Sequence, residues 1–114
     1  MSSITTSTRL KKQRSVRLSI EAWAELHNRS VLEGKSASEL CDFLLTHYLG
    51  LGEPPVYQLP HGLVKRTRAI YIADQGWAAA KRLSRLQGRT LSAMLEQLVR
   101  GYVGLGLGSP SGER

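Results

Sequence analysis

The chain repeats itself. At an offset of 54 residues it aligns with itself without a gap over 42 positions, residues 11–52 on 65–106, with thirteen identities. Lys11 meets Lys65, Arg14 meets Arg68, Trp23-Ala24 meets Trp77-Ala78, and Ser30 meets Ser84. Leu32 meets Leu86, Gly34 meets Gly88, Ser38 meets Ser92, Leu44 meets Leu98, and Tyr48 meets Tyr102. Gly50-Leu51-Gly52 meets Gly104-Leu105-Gly106. Shared helical periodicity can produce the Leu matches by convergence, but not the Trp, Tyr and Gly matches. A repeat constrains the fold strongly, because each copy is one supersecondary unit that cannot bury its apolar face alone.

Each copy has the same grammar. Gln13–Leu18 and Thr67–Ile72 alternate, with apolar residues mostly at even positions, the period of a half-buried strand. A helix follows, from about Ile20 to Glu33 and from about Gln75 to Gln87. Ser19 and Asp74 are its expected N-caps, and Gly34 and Gly88 its stops. A second helix begins at Ser36 and at Thr90, with Glu39 completing a capping box in the first copy. Leu40, Leu44 and Tyr48 share one face of it, as do Met94, Leu98 and Tyr102. Gly50 and Gly104 are the expected ends. Five segments result: a disordered basic arm (1–10), the first unit (11–50), a linker (51–64) containing Pro54, Pro55 and Pro60, the second unit (65–104), and a flexible tail (105–114).

A unit of about forty residues buries too little surface to fold alone, and a lone strand leaves both edges unpaired. Pairing the two copies answers both problems. The expected fold is mainly α with a two-stranded antiparallel β-ribbon, the two units forming an intramolecular pseudo-dimer. The linker then gives one copy an effective concentration of about millimolar for the other. The expected core is Val16, Leu18, Trp23, Leu26, Leu32, Leu40, Leu44 and Tyr48, with Ile70, Ile72, Trp77, Leu83, Leu86, Met94, Leu98 and Tyr102. The two Trp can alternatively serve as platforms on which bases stack.

Sixteen Lys and Arg against nine Asp and Glu give a net charge of +7. Arg9, Lys11, Lys12, Arg14 and Arg17 precede the first acid, Glu21, and Lys65, Arg66 and Arg68 form a second run before Asp74. Clustered positive charge is the footprint of a nucleic-acid partner. Solvated charge runs are the plainer reading, but that does not explain why both fall at equivalent points of the repeat. No apolar run approaches the roughly 20 residues that span a bilayer, and the first residues hold no apolar stretch of a secretory signal. A cytoplasmic location, with nucleoid or plasmid association, is expected, and no membrane partner. Cys41, the single cysteine, reads as a buried small hydrophobe. His27, His47 and His61 lack metal spacing, and there is no phosphate loop, acid pair or Ser/His/Asp set. Neither catalysis, nor a metal or cofactor, nor a small-molecule ligand is expected.

The segment from Arg14 to Gly50, with its G-x-S-x-S-x-L run (Gly34 to Leu40) and Tyr48 eight residues on, resembles a unit of the ribbon-helix-helix superfamily, the CopG/MetJ/Arc type of bacterial and phage regulators. The segment from Arg68 to Gly104 is similar and more divergent. The resemblance covers roughly 80 of the 114 residues and implies binding of double-stranded DNA through the ribbon in the major groove. With Val16 and Leu18 inward, Gln13, Ser15 and Arg17 point outward as base readers, and Thr67, Ala69 and Tyr71 are their counterparts. Gln can pair with adenine and Arg with guanine, whereas Ala69 offers a methyl and Tyr71 is bulky. An imperfectly palindromic site, read mostly by the first unit, is expected.

The resemblance also implies phosphate clamping at the N-termini of the second helices, where Lys35, Ser36 and Ser38, and Arg89, Thr90 and Ser92, meet free N–H groups. Lys11, Lys12, Arg14, Lys65, Arg66 and Arg68 complete the expected phosphate contacts, with Arg14 and Arg68, at inward parity, bending out to phosphate or solvent. The function implied is transcriptional repression, with self-association of two or more molecules on DNA. Two alternatives stay open: a conjugation accessory protein of the TraY type, which also carries two such units in one chain, and an antitoxin that binds a protein partner.

Overall fold

A computed structural model describes residues 11–51 and 59–105, with residues 47–51 as backbone only. The expected basic arm, the middle of the linker (52–58, with Pro54 and Pro55), the tail from 106 onward, and the side chains of His47 and Tyr48 lie outside the described residues. The element order is β1 (Lys11–Ser19), α1 (Ile20–Glu33), α2 (Ala37–Leu51), β2 (Lys65–Ala73), α3 (Asp74–Leu86) and α4 (Leu91–Val103). The fold is mainly helical around a two-stranded antiparallel sheet.

Alternation sets the two faces of the strands. Val16, Leu18, Ile70 and Ile72 are buried, while Gln13, Ser15, Arg17, Thr67, Ala69 and Tyr71 are exposed. The register runs from Lys11 opposite Ala73 to Ser19 opposite Lys65, and its midpoint sets Ser15 opposite Ala69. Those two residues are 54 apart, the step of the sequence repeat, so strand pairing and repeat share one centre. A one-residue slip would turn the buried four toward solvent.

Local capping follows the sequence closely. The Ser19 hydroxyl accepts from the Ala22 N–H at 3.1 Å and starts α1. Ser36 and Glu39 make the reciprocal capping box at 2.7 and 3.0 Å, and the Thr90 hydroxyl accepts from Ala93. Gly34 and Gly88, both at φ 68°, let Lys35 and Arg89 return their N–H to the Ser30 and Ser84 carbonyls. An L side chain rarely takes that backbone conformation, so glycine at both points turns the chain out of the first helix of each copy, as the C-cap at Gly34 and one residue beyond the Gln87 C-cap at Gly88.

Three local expectations are corrected. Asp74 is the first residue of α3, not its cap; Ala73 stands at the cap without a side-chain bond, and the Asp74 carboxylate is held by Lys12 and Arg14. The repeat itself carried this signal, since the offset places Ser19 on Ala73. α2 continues through Gly50 to Leu51, whereas α4 stops at Gly104 as expected. Leu105, assigned to the tail, packs on the core and bonds its N–H to the Arg100 carbonyl. At the end of the linker the Val64 carbonyl accepts from the Ile20 N–H at 3.0 Å.

One continuous core joins both copies. Val16, Leu18, Leu26, Leu40, Leu44, Ile70, Ile72, Met94 and Leu98 are buried as expected, together with Ala22, Leu45, Ala80, Leu95 and Val99. Trp23, Trp77, Leu83 and Tyr102 pack at its margin. Leu32 and Leu86 do not belong to it; they are 81% and 73% exposed. Both sit in the last turn of a helix whose glycine stop turns the chain away, and Ser30 and Ser84 take the buried position there. Cys41 is buried, and burial pushes its thiol up to about 12, consistent with a packing role. No described helix is long and apolar enough to cross a membrane.

Candidate nucleic-acid interface

The exposed ribbon face is built from alternate residues of two strands. Gln13 lies opposite Tyr71, Ser15 opposite Ala69, and Arg17 opposite Thr67. All six residues singled out from the sequence as base readers share this face. Because the strands are antiparallel, Arg17 of the first copy shares an end with Lys65, Arg66 and Arg68 of the second. Gln13 and Tyr71 share the other end with Lys11, Lys12 and Arg14.

The outer edges of the ribbon are covered by the second helices, crosswise. The Ser38 hydroxyl accepts from the N–H of Tyr71 at 3.0 Å, and the Ser92 hydroxyl from the N–H of Arg17 at 2.9 Å. Each repeat's second helix thus satisfies an edge amide of the other repeat's strand, groups that would otherwise invite pairing with a further strand. Ser38 and Ser92, expected at phosphates, thus each accept a backbone N–H, which leaves the hydroxyl proton available to a further acceptor. Ser36 and Thr90 remain exposed beside the free N–H groups of α2 and α4.

Arg14 and Arg68 are also matched crosswise. The Arg14 guanidinium lies 5.3 Å from the Trp77 ring centre, and that of Arg68 lies 5.2 Å from Trp23. The expectation that they bend outward is corrected: each arginine at an inward position spends its charge on the indole of the opposite copy, a cation–π contact worth about 0.5–2 kcal/mol. The same contacts locate the two Trp at the core margin, under the ribbon rather than on its reading face. Arg14 has further partners, the Asp74 carboxylate and the Ile72 carbonyl.

The remaining cations divide by end. Lys11 pairs with Asp42 at 3.4 Å and Lys12 with Asp74 at 3.1 Å. The Asp74 carboxyl is held below the ordinary range by its bonds to Lys12 and then Arg14. Lys35 is exposed near the Phe43 ring. Its counterpart Arg89 folds back onto the Gln87 and Gln97 amide oxygens, at 2.9 and 2.5 Å. Arg66 is exposed, and among the described residues no carboxylate lies within ion-pair distance of Arg17, Lys65, Arg66 or Arg68.

Beneath that second end lies a buried polar network that the sequence reading missed. Glu96 is fully buried, accepting from the Ser19 N–H at 2.8 Å and the Ser19 hydroxyl at 2.5 Å. Arg100 reaches Glu96 at 3.1 Å and Glu21 at 2.7 Å. Ser92 and Glu96 are one turn apart on α4, so together they cap successive outward amides of β1, at Arg17 and Ser19. The only sequence signal was an acid and a base four apart, Glu96 within the mostly apolar stretch from Met94 to Val99 and Arg100 directly after it, a spacing that usually marks a solvated face. Among the described residues no group of three His, Cys, Asp or Glu is placed to hold a metal ion. Comparison with known proteins supplies no relative: no family model, no curated protein and no solved structure matches this chain.

Proposed function

We propose that this chain binds double-stranded DNA sequence-specifically, as a single-chain pseudo-dimer of two ribbon-helix-helix units, and represses transcription from nucleoid or plasmid DNA in the cytoplasm. The observation that carries the reading is the ribbon face itself: six exposed side chains at alternate positions of two paired strands, bracketed by basic residues. A major groove about 12 Å wide admits two strands about 4.8 Å apart. From Gln13 to Arg17 the strand advances about 13 Å, or about four base pairs at 3.4 Å each. A reader of that reach gains specificity by placing two or more molecules side by side.

In this reading Arg17 and Gln13 supply the hydrogen bonds to base edges, Ser15 and Thr67 adaptable contacts, and Ala69 a methyl surface. Lys35, Ser36 and Thr90 at the starts of α2 and α4 bind phosphates and set the register of the protein on the duplex. The pseudo-dimer is supported by the shared centre of register and repeat, and by the crosswise Ser and Arg–Trp contacts.

Selection of bound duplexes from a random pool is the direct test. Recovery of a short, imperfectly palindromic site is expected, and recovery of no consensus overturns sequence-specific binding. A site beside a transfer origin instead of a promoter would replace repression by a role in conjugation. Arg17→Ala should reduce discrimination between selected and random DNA by about 1–3 kcal/mol; an equal loss on both removes Arg17 as a base reader. For the architecture, sedimentation of the free protein should show a folded monomer. A chain that folds only as a strand-exchanged dimer contradicts the intramolecular arrangement.

A further inference from the structure

We infer that the ribbon is electrostatically polarised, so that the half of a bound duplex lying under Arg17, Lys65 and Arg66 receives most of the phosphate neutralisation. The inference rests on the DNA-binding reading and adds to it a direction along the ribbon. Two basic runs at matched positions of a repeat should load both ends equally. They do not, because acids fill one end and not the other.

At the first end Lys11, Lys12 and Arg14 face Asp42 and Asp74, three cations against two carboxylates in contact. Glu39 adds a third carboxylate there. It is stabilised first by its bond to the Ser36 backbone, and also by the charges of Lys11 and Lys35. At the second end the positions matched to Glu39 and Asp74 are Ala93 and Ile20. The residue matched to Asp42 is Glu96, which is buried and turned onto Ser19 and Arg100. Arg17 stands at this end, where its counterpart at the other end is Tyr71. Glu21, the remaining acid nearby, is paired with Arg100.

A phosphate that approaches Lys12 meets the Asp74 carboxylate on the same ammonium group. Repulsion between them acts well within the screening length of roughly 8–10 Å. A phosphate that approaches Arg66 meets no such neighbour among the described residues. Cations already neutralised by the protein replace few DNA counterions, whereas each free one steepens the salt dependence by about 0.9. The asymmetry of the molecule therefore runs along the ribbon, from end to end, and each end draws on both copies.

The test is a salt titration of affinity for a random-sequence duplex, read by fluorescence anisotropy on the full chain. Arg66→Ala should lower the slope of log affinity against log salt by about 0.9. Lys12→Ala, at the matched position, should lower it by less than half as much. Asp74→Asn should tighten binding and steepen the slope. All three residues are exposed, and circular dichroism checks that each variant keeps its fold. Equal slopes for Arg66→Ala and Lys12→Ala, with Asp74→Asn indifferent, would overturn the polarity and leave DNA binding intact. No binding of any duplex at low salt would overturn both.

Discussion

The two ends of the ribbon are built on one backbone plan and differ in chemistry. At both ends a serine of a second helix accepts an edge amide of the opposite strand, and an arginine covers the opposite indole. At the end holding Lys11, the acids stay at the surface and bind surface cations. At the end holding Arg17, the one acid of the second helix is buried, and the surface cations are left without carboxylate partners among the described residues. Asp42 and Glu96 occupy the same repeat position; one more methylene and a Thr46-to-Arg100 difference four residues on move the carboxylate from the rim to the interior. The scaffold contacts tolerate no such drift, because each one satisfies a backbone group or a charge of the other copy.

The largest effect expected from this contrast is on stability. Glu96→Ala leaves Arg100, only 4% exposed on its side chain, without its buried partner and orphans the Ser19 N–H; a loss of about 3–5 kcal/mol is expected in urea denaturation. The matched change Asp42→Ala removes a partly exposed pair and should cost under about 1 kcal/mol. Equal losses would show that the two ends do not differ in how their acids are used. Next in size, Ser38→Ala and Ser92→Ala should each cost about 1 kcal/mol, and the same amount within error, since their bonds, at 3.0 and 2.9 Å, are equivalently placed. A clear inequality would break the structural equivalence of the ends. Smallest is a pH effect. The carboxyl of Asp74 is lowered by Lys12 and Arg14, so the stability it contributes is full above the ordinary carboxylate value of about 3.9. It is lost as the pH falls through the depressed value. Acid unfolding of Asp74→Asn should begin from a slightly lower plateau and lack that part of the acid limb. An unchanged acid limb would remove the Lys12–Asp74–Arg14 cluster as a feature of the first end.

Much of the local structure was legible because it is encoded within a few residues. Ser19, the Ser36–Glu39 box, Thr90 and the glycines at 34 and 88 act on backbone groups next to them, so composition and spacing suffice. The strand faces were legible for the same reason, the pleat having a period of two. Leu32 and Leu86 were misassigned because helical periodicity says which face a residue is on, not whether a helix end runs past the edge of the core. Of the candidate interface, the six outward residues follow from parity. The partners of the cations do not. Which acid reaches which base depends on how elements separated by tens of residues pack, as with Lys12 and Asp74 or Lys11 and Asp42.

By itself the sequence determined that there are two copies, the order and kind of their elements, which strand face is wet, and that positive charge is concentrated at two equivalent points. Those properties are set by short-range sterics, hydrogen bonding and burial. Only the tertiary structure decided how that charge is distributed. Antiparallel pairing brings the end of one strand beside the start of the other, so Arg17 joins the basic run of the second copy. Long-range packing then places Asp74 and Asp42 on the cations of one end and draws Glu96 inward at the other. Charges interact through space, and the pairing of two distant segments is what sets their separations.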